Sequence, residues 1–487
     1  MTPASPTPRD TDYEAVLARR SEILRRSTGI DYDRFRRGRL AFDYEGLMAQ
    51  AGYSLEEARR VQDASGVGRT PLLELRNLTA LVRTMSGPGR GARLFVKDEA
   101  ANPSGSFKAR RASLSVHEAV RRGYPGVIAA TSGNYGAAVA SRAAALNLPC
   151  LIVQEVFDSR GVGQPEILEK TRACEAYGAE VVQLTVGPEL FWVHLLLLEQ
   201  TGYFNASLYT PYSIAGIETL GCEVAEDCRG VTGRDPDVVV VTHAGGGNVT
   251  GTARGLAKAG CRGTRVVGAS VDLSGLHMAS DRDFNRKAFT TGHTGFGVPF
   301  ATWPDRADVV YNAARPLRYL DAYYTVTQGE VFYITEALAQ LEGLERGPAG
   351  NTSLAVAVGL ARDLPADAVV VVQETEYTGA GKHPFAQLTF ARQNGIEVRR
   401  GDPREERPGT SIVIPERPEQ IRPRPVDLDE LRRSYLRRAR RELGPHPEAA
   451  DLAFLAEDLR VDPGFVERTL AGPEDTRRED TRLEDAP

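Results

Sequence analysis

No stretch of this sequence approaches the roughly 20 apolar residues that a membrane span requires, and the opening MTPASPTPRDTDYEAVLARR places no apolar core after its charges. A cytoplasmic protein is expected. Cysteine is scarce: Cys150, Cys174, Cys222, Cys228 and Cys261 form neither a CxxC pair nor a zinc-ligand spacing, and five is an odd number for a disulfide framework. Buried thiols and no metal site follow. Charge of one sign is lacking too, because a net of -5 over 487 residues gives no electrostatic attraction for nucleic acid or an anionic membrane. There is no internal repeat and no low-complexity array. What these absences leave is a small-molecule partner.

The length exceeds what a single core usually fills, so two packed lobes with peripheral segments are expected. Residues 1–65 read as a helical extension, with Asp31-Tyr32 and Asp43-Tyr44 as punctuation. From Thr70 onward, continuously apolar β-branched runs such as Val238 to Val241 alternate with Ala-rich helical stretches such as Ala137 to Leu146. That alternation indicates α/β architecture, with mainly parallel sheets flanked by helices and a ligand at the carboxyl ends of the strands. After about Gly401 the chain turns rich in Pro, Arg and Glu, and a helical stretch runs from Asp427 to Leu443. Residues 401–471 are read as a helical extension and 472–487 as a solvated, disordered tail.

Three loops, each just past an expected strand, carry the chemistry. In Asn102-Pro103-Ser104-Gly105-Ser106-Phe107-Lys108, a tight entry places Lys108 in the first turn of a helix. A partly desolvated amine near a helix amino end is biased toward its neutral, nucleophilic form. In Thr131-Ser132-Gly133-Asn134-Tyr135-Gly136, Ser132 and the loop amides suit a carboxylate, and Asn134 can both donate to and accept from a phenolic oxygen. In Gly245-Gly246-Gly247-Asn248, successive glycines let the backbone approach a phosphate. The last loop matches neither GxxxxGK[ST] nor GxGxxG, which disfavours a nucleoside triphosphate or a dinucleotide. Each loop alone is also compatible with an ordinary turn or a surface lysine. Together, an amine nucleophile, an anion-and-amide loop and a phosphate nest fit pyridoxal 5′-phosphate.

In order and spacing the three loops resemble those of fold-type II pyridoxal phosphate enzymes, of the tryptophan synthase beta-like superfamily. Supporting context comes from Arg69-Thr70-Pro71-Leu72 and Gly347-Pro348-Ala349-Gly350-Asn351. The resemblance implies a two-lobed core over residues 66–400, with a smaller lobe of about 105–215 inserted in the larger and the cofactor between them. It also implies that Lys108 carries the cofactor as an imine, that Asn134 bonds the ring hydroxyl, and that Gly245, Gly246, Gly247 and Asn248 hold the phosphate. By the same resemblance Ser132, Gly133 and Tyr135 hold the substrate carboxylate and Thr378 faces the pyridine nitrogen, with Glu374 and Glu376 as neighbours that share its face if the strand continues.

A closer resemblance covers nearly the whole chain. Segments including Phe157 to Pro165, Gly187 to Phe191, Thr291 to Gly297 and Gln373 to Gly379 are similar to those of the beta-subunit family of 2-amino-4-oxopentanoate thiolases of ornithine degradation. That family implies an acyltransferase that cleaves the oxo amino acid with coenzyme A to acetyl-CoA and alanine, expected as the D isomer, beside a small alpha subunit in a hetero-oligomer. The alternatives are a β-elimination or β-replacement enzyme of the threonine synthase, cysteine synthase or ammonia-lyase type, and a cofactor-binding subunit without catalysis. The group receiving the C4 oxyanion and the surface for coenzyme A are left unassigned. His277 and His293 are possible polar partners but are read first as locally satisfied, and Arg110 and Arg111 could reach phosphates or the partner subunit but, as arginines beside a helix start, are read as solvated and left out of the site.

Overall fold

A computed structural model describes residues 10–131, 133–157, 161–163, 165–185, 189–272, 287–288, 301–302, 307–377 and 384–472. Its larger sheet has seven strands, in the order Leu72–Glu74, Arg93–Asp98, Val369–Glu374, Val238–Thr242, Arg265–Val271, Ala322–Val326 and Arg424–Val426. The five inner strands are parallel and the two edge strands antiparallel. A second, four-stranded parallel sheet is ordered Glu180–Thr185, Cys150–Phe157, Val127–Thr131 and Phe204–Asn205, all from chain between strands of the first.

The period of two along a strand explains why these runs are apolar throughout. Val238, Val240, Val370 and Val372 face one layer, with the helices Arg76–Thr84, Gln328–Glu342 and Pro348–Ala361. Val239, Val241, Val369 and Val371 face the other, with Pro211–Thr232, Gly247–Lys258 and the carboxyl-terminal helices. Both faces are dry, so no position in the strand is free to be polar. The smaller sheet is built the same way. Val127, Ala129 and Ile152 pack on Lys108–Arg121 and Asn134–Ala145, while Ile128, Ala130 and Val153 meet Val16, Ile23 and Leu24 of the amino-terminal helices. The amino-terminal segment thus covers the outer face of the smaller lobe.

The region after Gly401 differs from the helical expectation. Glu397–Gly401 pairs in parallel with Ser411–Pro415, and Arg424–Val426 closes the edge of the large sheet against Ala322–Val326. Pro425 sits in that edge strand, a place where its missing N–H costs the ladder least. The helices Leu428–Leu443, Ala449–Leu459 and Pro463–Ala471 follow. All five cysteines are buried free thiols. Among the described residues no helix is long and apolar enough to cross a membrane, and no cluster of side chains could hold a metal ion.

Candidate active site

The three loops converge where the lobes meet. Lys108 opens the helix Lys108–Arg121, after a turn in which Ser104 and Gly105 both take left-handed backbone, φ 65° and 69°. A Cβ on Gly105 would lie 2.7 Å from the Tyr377 carbonyl oxygen, so the chain can pass here only as glycine. The turn is stitched to the chain beyond Val369–Glu374: the Phe107 N–H donates to the Thr375 carbonyl at 3.0 Å and the Tyr377 N–H to that of Gly105 at 2.7 Å. The helix carrying Asn134 also packs on the Pro103–Gly105 turn. Lys108 as a whole is only partly buried, but its amine is enclosed. Burial first, and then the charge of Lys170, push the amine down to about 8; Arg111 adds to this, while Glu376 and Glu166 oppose it.

The neighbouring arginines correct the sequence expectation, since neither is solvated. Arg110 is fully buried and binds Glu99 through Nε at 2.7 Å and Nη2 at 2.8 Å, and Glu223 through Nη1 at 2.9 Å and Nη2 at 2.7 Å. Lys97 joins Glu223 at 3.0 Å. Against the cost of burial, Arg110 and Lys97 hold the Glu223 carboxyl down at about 2. This network ties the first turn of the lysine helix to Pro211–Thr232 and so fixes where Lys108 stands. Arg111, 3 % exposed, turns the other way. Its guanidinium lies over the Phe107 ring, 5.4 Å from the centroid, and a Cβ on Gly247 would lie 2.5 Å from its Nη2.

That contact places a buried cation against the glycine loop. A Cβ on Gly245 would lie 1.5 Å from Tyr209 Oη, and one on Gly246, which has φ 82°, would lie 2.4 Å from Pro316 Cγ. Helix Gly247–Lys258 begins at the third glycine, so its first N–H groups have no acceptor within the helix. Asn248 is buried, and its Nδ2 has no hydrogen-bond partner among the described residues. Unpaired donors, a helix amino end, a guanidinium and a cradle that any Cβ would fill make these residues fit a phosphate monoester.

Asn134 is the first residue of Asn134–Ala145 and is 8 % exposed. Tyr135 follows, but its ring lies in the smaller lobe's core with Oη 3.5 Å from Ser115 Oγ, and burial pushes its phenol up to about 12. What Tyr135 offers the cleft is a first-turn N–H, not its hydroxyl. Gly133 is held by its N–H bond to Thr131 Oγ1 at 2.9 Å and packs against Lys170. Ser132 and Thr378 lie outside the described residues, as do His277 and His293. Strand Val369–Glu374 ends at Glu374, which is wholly buried; Glu376 then bridges to Ser106. Burial, Asp98 and Glu376 raise Glu374 well above the usual carboxylate range, and neither of its oxygens has a partner among the described residues.

A neutral-prone lysine beside a cradle that fits a phosphate and an amide-rich loop is an arrangement suited to an aldehyde cofactor carried on an amine. A family model described as pyridoxal-phosphate dependent enzyme matches residues 64–376, and the chain belongs to that family. It is a fold-type II enzyme whose cofactor is pyridoxal 5′-phosphate. The chain is 68 % identical over 459 residues to a protein of an unknown prokaryotic organism named 2-amino-4-ketopentanoate thiolase beta subunit, covering 94 % of this chain and 97 % of the relative. A protein of the same name from Acetoanaerobium sticklandii is 60 % identical over 466 residues, 95 % of this chain and 98 % of its own. Among solved structures, an aspartate racemase dependent on the same cofactor superposes with a TM-score of 0.53 over 66 % of this chain and 94 % of its own. At 18 % identity that likeness speaks for the fold.

Lys170, Glu166 and Arg111 had no place in the site read from the sequence. A signal existed: Glu166 and Lys170 are four apart, directly after the Phe157 to Pro165 segment. Such a pair is normally a solvated helix face, and nothing in the spacing says otherwise.

Proposed function

We propose that this chain catalyses cleavage of 2-amino-4-oxopentanoate by coenzyme A, giving acetyl-CoA and alanine, with a small alpha subunit as its partner. Lys108 would carry the cofactor aldehyde, the amides of Gly245, Gly246 and Gly247 with Asn248 and Arg111 would hold its phosphate, and Asn134 would meet the ring hydroxyl. Thr378 would be the partner of the pyridine nitrogen. When bound, the cofactor would supply an electron sink next to Cα. The loop of Ser132, Gly133 and Tyr135, with the first-turn Tyr135 amide as one donor, would hold the carboxylate and so set the Cα–H bond relative to Lys108. The Lys108 amine, enclosed and held below the usual lysine range by burial and the Lys170 charge, would take that proton and return it. The thiol sulfur bonds to C4, the C3–C4 bond breaks, and its electron pair stays with C3, which is then protonated to become the methyl group of alanine.

The single observation that carries thiolysis over β-elimination is the extent of the likeness. Identity of 68 % over 459 residues reaches beyond residues 64–376 into both extensions, whereas the cofactor loops are common to the whole family. The test is purified chain with and without the alpha subunit, given the oxo amino acid and coenzyme A. Acetyl-CoA and alanine in equal amounts are expected. Ammonia released from hydroxy amino acids, with no acetyl-CoA, would overturn it in favour of elimination.

A further inference from the structure

Three charged side chains buried between the lobes belong to none of the cofactor loops. Glu166 and Lys170 stand one turn apart on Pro165–Ala176, and Glu376 follows the strand Val369–Glu374. They are 2 %, 5 % and 2 % exposed. Lys170 is ion-paired with Glu166 and lies 3.9 Å from Glu376 Oε2, while Glu376 Oε1 has no hydrogen-bond partner among the described residues. The lysine stem runs along the loop that faces the substrate: a Cβ on Gly133 would be 2.6 Å from Lys170 Cδ and 3.5 Å from Nζ. Its charge is also felt at Lys108.

One ammonium between two carboxylates is more acid than an ion pair needs, and burying the excess costs folding free energy. A second carboxylate would be repelled by Glu166 and Glu376. A neutral carbonyl oxygen would not be, and an ammonium fixed by two acids can donate to it without reorienting. We propose that Lys170, held by Glu166 and Glu376, receives the side-chain oxo oxygen of the substrate. With the carboxylate on the Gly133 loop and Cα at Lys108, a side chain carrying an oxo group two bonds beyond Cα runs past Lys170. As sulfur adds to that carbonyl its oxygen gains negative charge, and a preorganised cation in a water-poor site holds it more tightly than the ground state. Lys170 would thus select γ-oxo amino acids. The proposal rests on the thiolysis proposed above.

The test titrates the cofactor absorbance of the loaded enzyme with two ligands, alanine, which lacks the oxo group, and 2-amino-4-oxopentanoate. Lys170→Met should leave the alanine titration within about twofold of wild type and weaken that of the oxo acid at least about tenfold, the size of one charge-assisted hydrogen bond. Lys170→Arg should recover part of the loss. The double variant Glu166→Gln with Lys170→Met removes a buried charge along with its partner and serves if the single variant does not fold. Equal weakening of both ligands would assign Lys170 to the carboxylate, and no change in either would make the cluster structural; both results overturn the proposal. Failure of thiolysis itself would show separately, as wild-type enzyme that responds to the oxo acid but yields no acetyl-CoA with coenzyme A and the alpha subunit.

Discussion

Capture of the cofactor by cofactor-free protein should rise with pH and level off just above pH 8. Imine formation needs the free amine, and burial with Lys170 and Arg111 nearby brings Lys108 from its usual 10.5 to about 8. At pH 7 about a tenth of such an amine is unprotonated, against about one part in 3,000 for an ordinary lysine, a gain of roughly 300-fold in nucleophile. Stopped-flow absorbance after mixing the apoprotein with pyridoxal phosphate, from pH 6.5 to 10, reads the profile directly. Glu376→Gln removes a charge that favours the ammonium form and should move the midpoint to lower pH. A rate still climbing at pH 10 would refute the electrostatic account of Lys108, whatever the cofactor's final position. A linked consequence concerns stability. Because the folded pKa lies below the unfolded one, the apoprotein bears the full cost of the buried ammonium below pH 8 and regains that stability as pH rises from about 8 to 10.5.

Gly246→Ala adds about 1 kcal/mol of left-handed strain to a Cβ 2.4 Å from Pro316 and should weaken cofactor binding about tenfold in an absorbance titration. Arg111→Met should weaken the cofactor and also abolish protection of the apoprotein by inorganic phosphate in thermal denaturation. Arg110→Met leaves Glu99 buried without its cation and Glu223 with Lys97 alone, and should cost about 3–5 kcal/mol in urea denaturation. Glu374 keeps its proton when folded and not when unfolded, so wild type loses stability as pH rises above the ordinary carboxylate range. Glu374→Gln should remove that component, making the melting temperature less sensitive between pH 5 and 8.

The architecture was legible because its signal is local. Runs such as Val238 to Val241 and Val369 to Val372 are apolar at every position, which only a sheet covered on both faces explains. The loops were legible for a similar reason: glycines that must lie against Tyr209, Pro316 and Arg111 are written as three in a row. What sequence could not convey is which charges are buried. Arg110 reads as a surface arginine until Glu99 and Glu223 arrive from 11 residues before and 113 residues after it. Glu166 and Lys170 read as a solvated pair until Glu376 and Gly133 close over them. The strands after Gly401 were obscured by composition, since an edge strand tolerates the proline and arginine that elsewhere signal loop.

The most direct test of the central claim is to reduce the loaded enzyme with borohydride and map the modified peptide by mass spectrometry. The cofactor's mass should be fixed on Lys108, and Lys108→Ala should lose both the yellow colour and the adduct. The same adduct on Lys170, or an imine absorbance retained in Lys108→Ala, would contradict the account.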